Sequence, residues 1–190
     1  MRAMVLNQIG PLGPGSLPLA FVAVPEPDLG PGDVLIRVST CGVCHTELDE
    51  IEGRLAPPVL PVILGHQVVG TVAARGAAVD GLSVGDRVGV AWIYSACGHC
   101  PHCLAGAENL CPEFRGTGRD ANGGYAEFMA VPAAYAHPMA AAFPDAAAAP
   151  LLCAGAIGYR SLALSGLQDG GRLGLTGFGA SAHLVLMMVR

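Results

Sequence analysis

Residues 97–111 read Cys-Gly-His-Cys-Pro-His-Cys-Leu-Ala-Gly-Ala-Glu-Asn-Leu-Cys, which sets Cys97, Cys100, Cys103 and Cys111 at the spacing C-x2-C-x2-C-x7-C. The two-residue gaps let successive thiolates in a tight turn point at one ion, and the longer gap lets the chain fold back with a fourth. Such a set suits a closed tetrahedral zinc site with no position left for substrate. An iron–sulfur cluster is the lesser alternative, since four cysteines can hold one. His99 and His102, lying between the cysteines, read as surface spacers.

The sequence on either side of this segment reads as β. Met1–Asn7, Asp33–Thr40, Val68–Ala74, Asp86–Val90 and Tyr125–Val131 carry alternating or clustered apolar and β-branched residues. Turn signals such as Gly10-Pro11 and Gly30-Pro31-Gly32 bound them. Glycines at 70, 81, 85, 123 and 124 permit bulges and corners, which predicts a compact barrel or a pair of bent sheets. Composition changes after His137. Asp145 is expected to cap a short Ala-rich helix, Pro150 to sit in the first turn of a second, and Leu151–Leu164 to continue as a bridging helix until Gly166. Gly171–Thr176 then reads as a strand, Gly177–Gly179 as a tight turn and Ala180–Arg190 as an apolar helix, together the first βα of an α/β unit.

Composition narrows the function classes. The chain has 190 residues, 52% hydrophobic and 13% charged, with 27 Gly and 15 Pro, which excludes charge-driven disorder. All ten basic residues are Arg, the formal charge is -5, and no basic run exists to neutralise a series of phosphates, so no nucleic acid partner is expected. The N-terminus lacks the pattern of a secretory signal. The apolar stretch Met139–Gly158 is broken by Pro144, Asp145 and Pro150, so no membrane span is expected and the location is read as cytoplasmic. In that compartment seven cysteines, an odd number, point to metal or catalysis before disulfides.

Outside the four-cysteine segment, Cys41, Cys44, His66 and Cys153 stand in Cys-Gly-Val-Cys-His-Thr (41–46), Gly-His-Gln (65–67) and Ala-Pro-Leu-Leu-Cys-Ala-Gly (149–155). With these segments in this order, the sequence resembles the N-terminal part of a zinc-dependent alcohol dehydrogenase of the medium-chain dehydrogenase/reductase family. The resemblance spans nearly the whole chain. It implies a mainly β GroES-like catalytic domain at residues 1–143, a bridging helical segment at 144–168, and the start of a truncated NAD(P)-binding Rossmann domain at 169–190.

For the site residues, the resemblance implies that Cys97, Cys100, Cys103 and Cys111 hold a structural zinc and that Cys44, His66 and Cys153 hold a catalytic one, with Cys41 a buried small residue. Two thiolates and a neutral imidazole leave zinc with no formal net charge and one open position, where an alcohol or carbonyl oxygen can bind. Thr46 matches the hydroxyl that takes the alcohol proton, and His45 a position that helps bind the cofactor pyrophosphate. Gly177, Gly179 and Ala182 form G-x-G-x-x-A, a dinucleotide-binding pattern when it follows a strand and opens a helix; His183 reads as a helix-surface residue. Three residues depart from the family pattern: Glu47 stands where Asp is common, Asp49 where many members have a proton-passing His, and Gln67 where Glu follows the His ligand.

Two functions compete on this reading. One is hydride transfer between a primary or secondary alcohol, or the matching aldehyde or ketone, and NAD or NADP, with two zinc ions per chain and homo-oligomerisation left open. The other is a catalytically silent zinc-binding GroES-like domain. Gly171–Arg190 supplies 20 residues, whereas one βαβ unit needs roughly 30.

Overall fold

The computed structural model describes residues 1–190. In chain order the strands are β1 (Arg2–Leu6), β2 (Leu19–Ala23), β3 (Asp33–Cys41), β4 (Val62–Ile63), β5 (Val68–Arg75), β6 (Arg87–Val90), β7 (Ile93–Ser95), β8 (Arg115–Gly116), β9 (Phe128–Pro132) and β10 (His137–Pro138). The helices are α1 (His45–Ile51), α2 (Pro101–Leu104), α3 (Asp145–Ala148), α4 (Ala154–Ser165) and α5 (Ala180–Met188).

Alternation decides the main sheet. Val34 and Ile36 of β3 are buried while Arg37 and Ser39 face outward, the period-2 pattern of a strand with one face on a core. β3 pairs antiparallel with β5 on one side and β9 on the other, within a five-stranded sheet of order β10-β6-β5-β3-β9. Register shifts between Leu35/Ile36 and Val38/Thr40 bend it. Val34, Ile36, Val68, Val72, Val88, Val90, Met129 and Val131 fill its inner face. A three-stranded sheet, β2-β1-β4, joins it through the bridge between Ala3 and Ala126. Against that sheet Leu6, Ile51, Val62 and Leu64 form a second cluster, which seats α1. The small sheet β7-β8 brackets the four-cysteine segment.

Five of the six predicted strands correspond to β1, β3, β5, β6 and β9. The other five strands carry weak patterns, three of them only two residues long, and form because a neighbour is already in place. Helix α1 was not foreseen, since its apolar face is narrow. Asp145 is the first residue of α3 and does not cap it; Pro144 holds the cap position. The Asp145 carboxylate instead accepts hydrogen bonds from Ser39 and from Arg87 (Nε, 2.9 Å), tying α3 to β3 and β6. Pro150 lies in a 3-10 turn, Ala149–Leu152, and α4 starts only at Ala154. Gly166 ends α4 in the left-handed conformation, as a C-terminal glycine does.

The sixth predicted strand does not form. Gly171–Thr176 belongs to no sheet, because a strand needs a neighbour to bond and no other strand reaches it. Helix α5 does form, and it packs on α4 where Gly158 leaves room: a Cβ there would lie 2.8 Å from Val185 Cγ2. No single helix is long and apolar enough to cross a membrane. The bent pair Asp145–Leu152 and Ala154–Ser165 is together long and apolar enough, but Ala148 and Ala149 in its first member pack against Val69 in the core.

Candidate metal centres

The four-cysteine segment is organised by its own backbone. Cys100 caps α2, with Pro101 at the first helical position, and its sulfur accepts the Cys103 N–H at 3.5 Å. The Cys97 sulfur accepts from Cys100 N at 3.3 Å, and the Cys111 sulfur from Cys97 N at 3.4 Å and Glu113 N at 3.3 Å. All four sulfurs lie within 4.8 Å of one another, with Cys100 and Cys103 at 3.5 Å and Cys97 and Cys103 at 3.9 Å, too far for disulfide bonds. A hydrogen bond from the His99 backbone lowers the Cys97 thiol to about 6. Loss of hydration, reinforced by the neighbouring thiols, pushes Cys103 up to about 12. Four like groups in one shell cannot all ionise without a cation among them, and four thiolates at this spacing fit a closed zinc site. His99 and His102 are exposed, and His99 Nδ1 turns back to the Cys97 carbonyl at 2.8 Å.

The second cluster draws on three separate parts of the chain. Cys44 caps α1, His66 lies between β4 and β5, and Cys153 caps α4. Their ligand atoms all lie within 4.8 Å of one another: Cys44 Sγ to Cys153 Sγ is 3.8 Å, and His66 Nε2 to Cys153 Sγ is 3.2 Å. Gly65 makes the approach to His66 possible. Its φ is +100°, and a Cβ there would lie 2.6 Å from the Tyr125 ring and 2.8 Å from the Cys41 sulfur.

Glu47 orients the histidine. At the third position of α1 its Oε2 accepts the Cys44 N–H at 2.7 Å. Its Oε1 faces His66 Nδ1 at 2.7 Å as an ion-pair contact, without an aligned hydrogen bond at either atom. Both side chains are almost fully buried. This leaves His66 Nε2 directed at the two sulfurs, the arrangement in which a carboxylate behind a ligand histidine fixes its ring. Trp92 packs edge-on against His66 at 5.0 Å between ring centroids.

The three donors shift one another's acidity. Hydrogen bonds from Cys153, then from His66, lower the Cys44 thiol to about 3, and the bond to Cys44 together with burial raises Cys153. Burial pulls His66 down, but its contacts with Cys44 and Glu47 prevail and hold it up at about 9. A zinc ion set between this nitrogen and the two sulfurs would find three ligands and an open fourth position.

Other residues fall around this centre unevenly. Thr46 Oγ1 is 3.5 Å from Cys44 Sγ. His45 is three-quarters exposed and lies 3.9 Å from Asp49, and Asp49 binds Arg54 at 2.6 Å. Cys41 stands apart from both clusters, with burial raising its thiol to about 12. Gly177, with φ +77°, and Gly179, which caps α5, precede Ala182 in the first turn of that helix. Sequence reasoning did not find Trp92 or Glu50. Glu50 is wholly buried, and desolvation together with the Glu47 charge raises its carboxyl to about 8. Its signal was its place three residues after Glu47 on a helix that went unrecognised.

The alcohol dehydrogenase GroES-like domain family matches residues 30–141. The chain belongs to that family. A Mycobacterium tuberculosis protein described as "Probable alcohol dehydrogenase AdhA" is 50% identical over 189 residues, covering 97% of this chain and 54% of that protein. Among solved structures with this GroES-like fold, the cobalt- and zinc-bound thermostable alcohol dehydrogenase from Pyrobaculum aerophilum superposes with a TM-score of 0.89 at 29% identity, covering 100% of this chain and 56% of that one. A cinnamyl alcohol dehydrogenase from Sorghum bicolor gives 0.86 at 31% identity, covering 97% and 54%. The GroES-like chain therefore spans about half the length of the relatives it matches.

Proposed function

We propose that this chain is the zinc-binding catalytic part of an NAD(P)-dependent alcohol dehydrogenase acting on a small primary or secondary alcohol or the matching aldehyde or ketone. The observation that carries it is the convergence of Cys44, His66 and Cys153 within 4.8 Å, with His66 backed by buried Glu47. Three protein ligands of this kind suit a catalytic zinc, and the four cysteines of 97–111 suit a second, structural one. Zinc at the three-ligand centre supplies Lewis-acid polarisation of a substrate oxygen, and the nicotinamide supplies the hydride acceptor.

The chain's own residues do the rest. Glu47 holds the His66 ring. Thr46, whose Oγ1 lies 3.5 Å from Cys44 Sγ, takes the proton from a substrate hydroxyl in this reading. Gly177, Gly179 and the N-terminus of α5, which no side chain caps, offer backbone N–H groups to a pyrophosphate, with His45 as a second contact. In this reading residues 1–143 supply six of the seven metal ligands, 144–168 bridge and supply Cys153, and 169–190 open the cofactor unit. Seven free cysteines suit a cytoplasmic setting, where thiols stay reduced.

The unpaired segment Gly171–Thr176 favours a second reading for the 190-residue chain by itself, a metal-binding domain without turnover. Holding nicotinamide and alcohol in reactive geometry is worth roughly 7–11 kcal/mol of barrier, and a lone turn and helix do not hold it. Metal analysis and NAD(P)H formation with a panel of alcohols test both, with Cys44→Ser as control. Two zinc ions per chain with little or no turnover is the expected result. No metal at Cys44, His66 and Cys153 overturns the first reading, and robust turnover abolished in the control overturns the second.

A further inference from the structure

Helix α1 brings two carboxylates to one face, Glu47 and, three residues on, Glu50. Glu47 is engaged at both oxygens, with the Cys44 N–H and with His66. Glu50 is 0% exposed, and neither of its oxygens has a hydrogen-bond or ion-pair partner. Buried carboxylates are costly unless opposite charge stands nearby. The charged groups that act on Glu50 through space are Glu47, His66 and Cys44, which belong to the three-ligand centre, and Arg119. Arg119 is already spent in part on Asp120 at 3.0 Å, and its own Nε is buried without a partner. The acidic side chains Glu47, Glu50 and Cys44 are thus gathered in a water-poor space, where burial keeps Glu50 protonated until a cation arrives to offset its charge.

We propose that Glu50 is the charge-balancing carboxylate of the Cys44–His66–Cys153 centre, raising retention of a divalent cation there through space, while Arg119 opposes it. The inference rests on the reading of those three residues as a metal centre. Glu50 is not one of the ligands; its charge strengthens cation binding because the surrounding medium screens weakly.

Cobalt(II) binding to the metal-free full chain, followed by the visible absorbance that Cys44→Ser abolishes, tests the proposal. Glu50→Gln keeps the shape and removes the charge, and it should weaken cobalt binding at this centre about 10–100-fold. The four-cysteine cluster, as internal control, should bind as before. Glu50→Asp should keep most of the affinity, and Arg119→Met should tighten it. A merely structural role predicts weaker binding in both Glu50→Gln and Arg119→Met, together with a lower melting temperature of the metal-free protein. Unchanged affinity in Glu50→Gln, or weakening in both variants, overturns the proposal while leaving the metal centre standing. Failure of the unaltered chain to bind cobalt at the centre overturns both. If Glu50→Gln does not fold, Arg119→Met still decides: tighter cobalt binding supports the proposal, and unchanged or weaker binding overturns it.

Discussion

The two cysteine clusters are built on opposite plans. One lies within 15 consecutive residues, where a proline-started turn of helix and four backbone N–H groups turn the sulfurs inward. The other joins the caps of two helices to a histidine between two strands, across 109 residues of sequence. A local cluster owes its geometry to spacing and, once loaded, ties down a segment with no buried helix of its own. A dispersed cluster owes its geometry to the β scaffold, whose valine-rich core stands without it. Metal should therefore matter for folding in the first case and for chemistry in the second.

The widest gap between them should appear on removing one ligand from each. Cys103→Ser should cost most of the soluble, folded protein, because binding free energy at a structural zinc site, ~10–16 kcal/mol in small peptides, is folding free energy for the segment it organises. Cys44→Ser should leave folded yield and the circular-dichroism melt near those of the unaltered chain. Equal losses would erase the distinction. Next in size is selective unloading: a mild chelator should strip one of two zinc ions first, the one at Cys44, His66 and Cys153, as read by metal analysis of each single-cluster variant. Loss of both together would mean that the clusters share one folding unit.

Smaller effects sharpen the contrast. Glu47→Gln keeps the bond to the Cys44 N–H but takes the charge from behind His66. It should lower metal affinity at the dispersed centre by about 10–100-fold and leave the four-cysteine cluster unchanged, measurable by competition with a chromophoric chelator. Ending the chain after Gly166 should change least. The removed residues are largely exposed, with Val185 the one buried among them, so scanning calorimetry should find the main transition nearly unmoved and both clusters still loaded. A collapse of that transition would show that α5 supports the site through α4.

Much of this was legible residue by residue, and the boundary of what was legible follows the range of the interactions. The C-x2-C-x2-C-x7-C spacing, the alternation of Val34 and Ile36, and the left-handed Gly166 are set by neighbours a few residues away, so the sequence by itself determined them. Family resemblance alone suggested Cys44, His66 and Cys153 as one group, since nothing local links residues so far apart. Tertiary structure decided the rest. It brought those three donors within 4.8 Å, turned Glu47 onto His66, and buried Glu50 with no partner, although four of the six residues at 47–52 are acidic. It also left Gly171–Thr176 unpaired, for the same reason that β4, β8 and β10 exist at only two residues each. Propensity can propose a strand, but only a neighbouring edge supplies its hydrogen bonds.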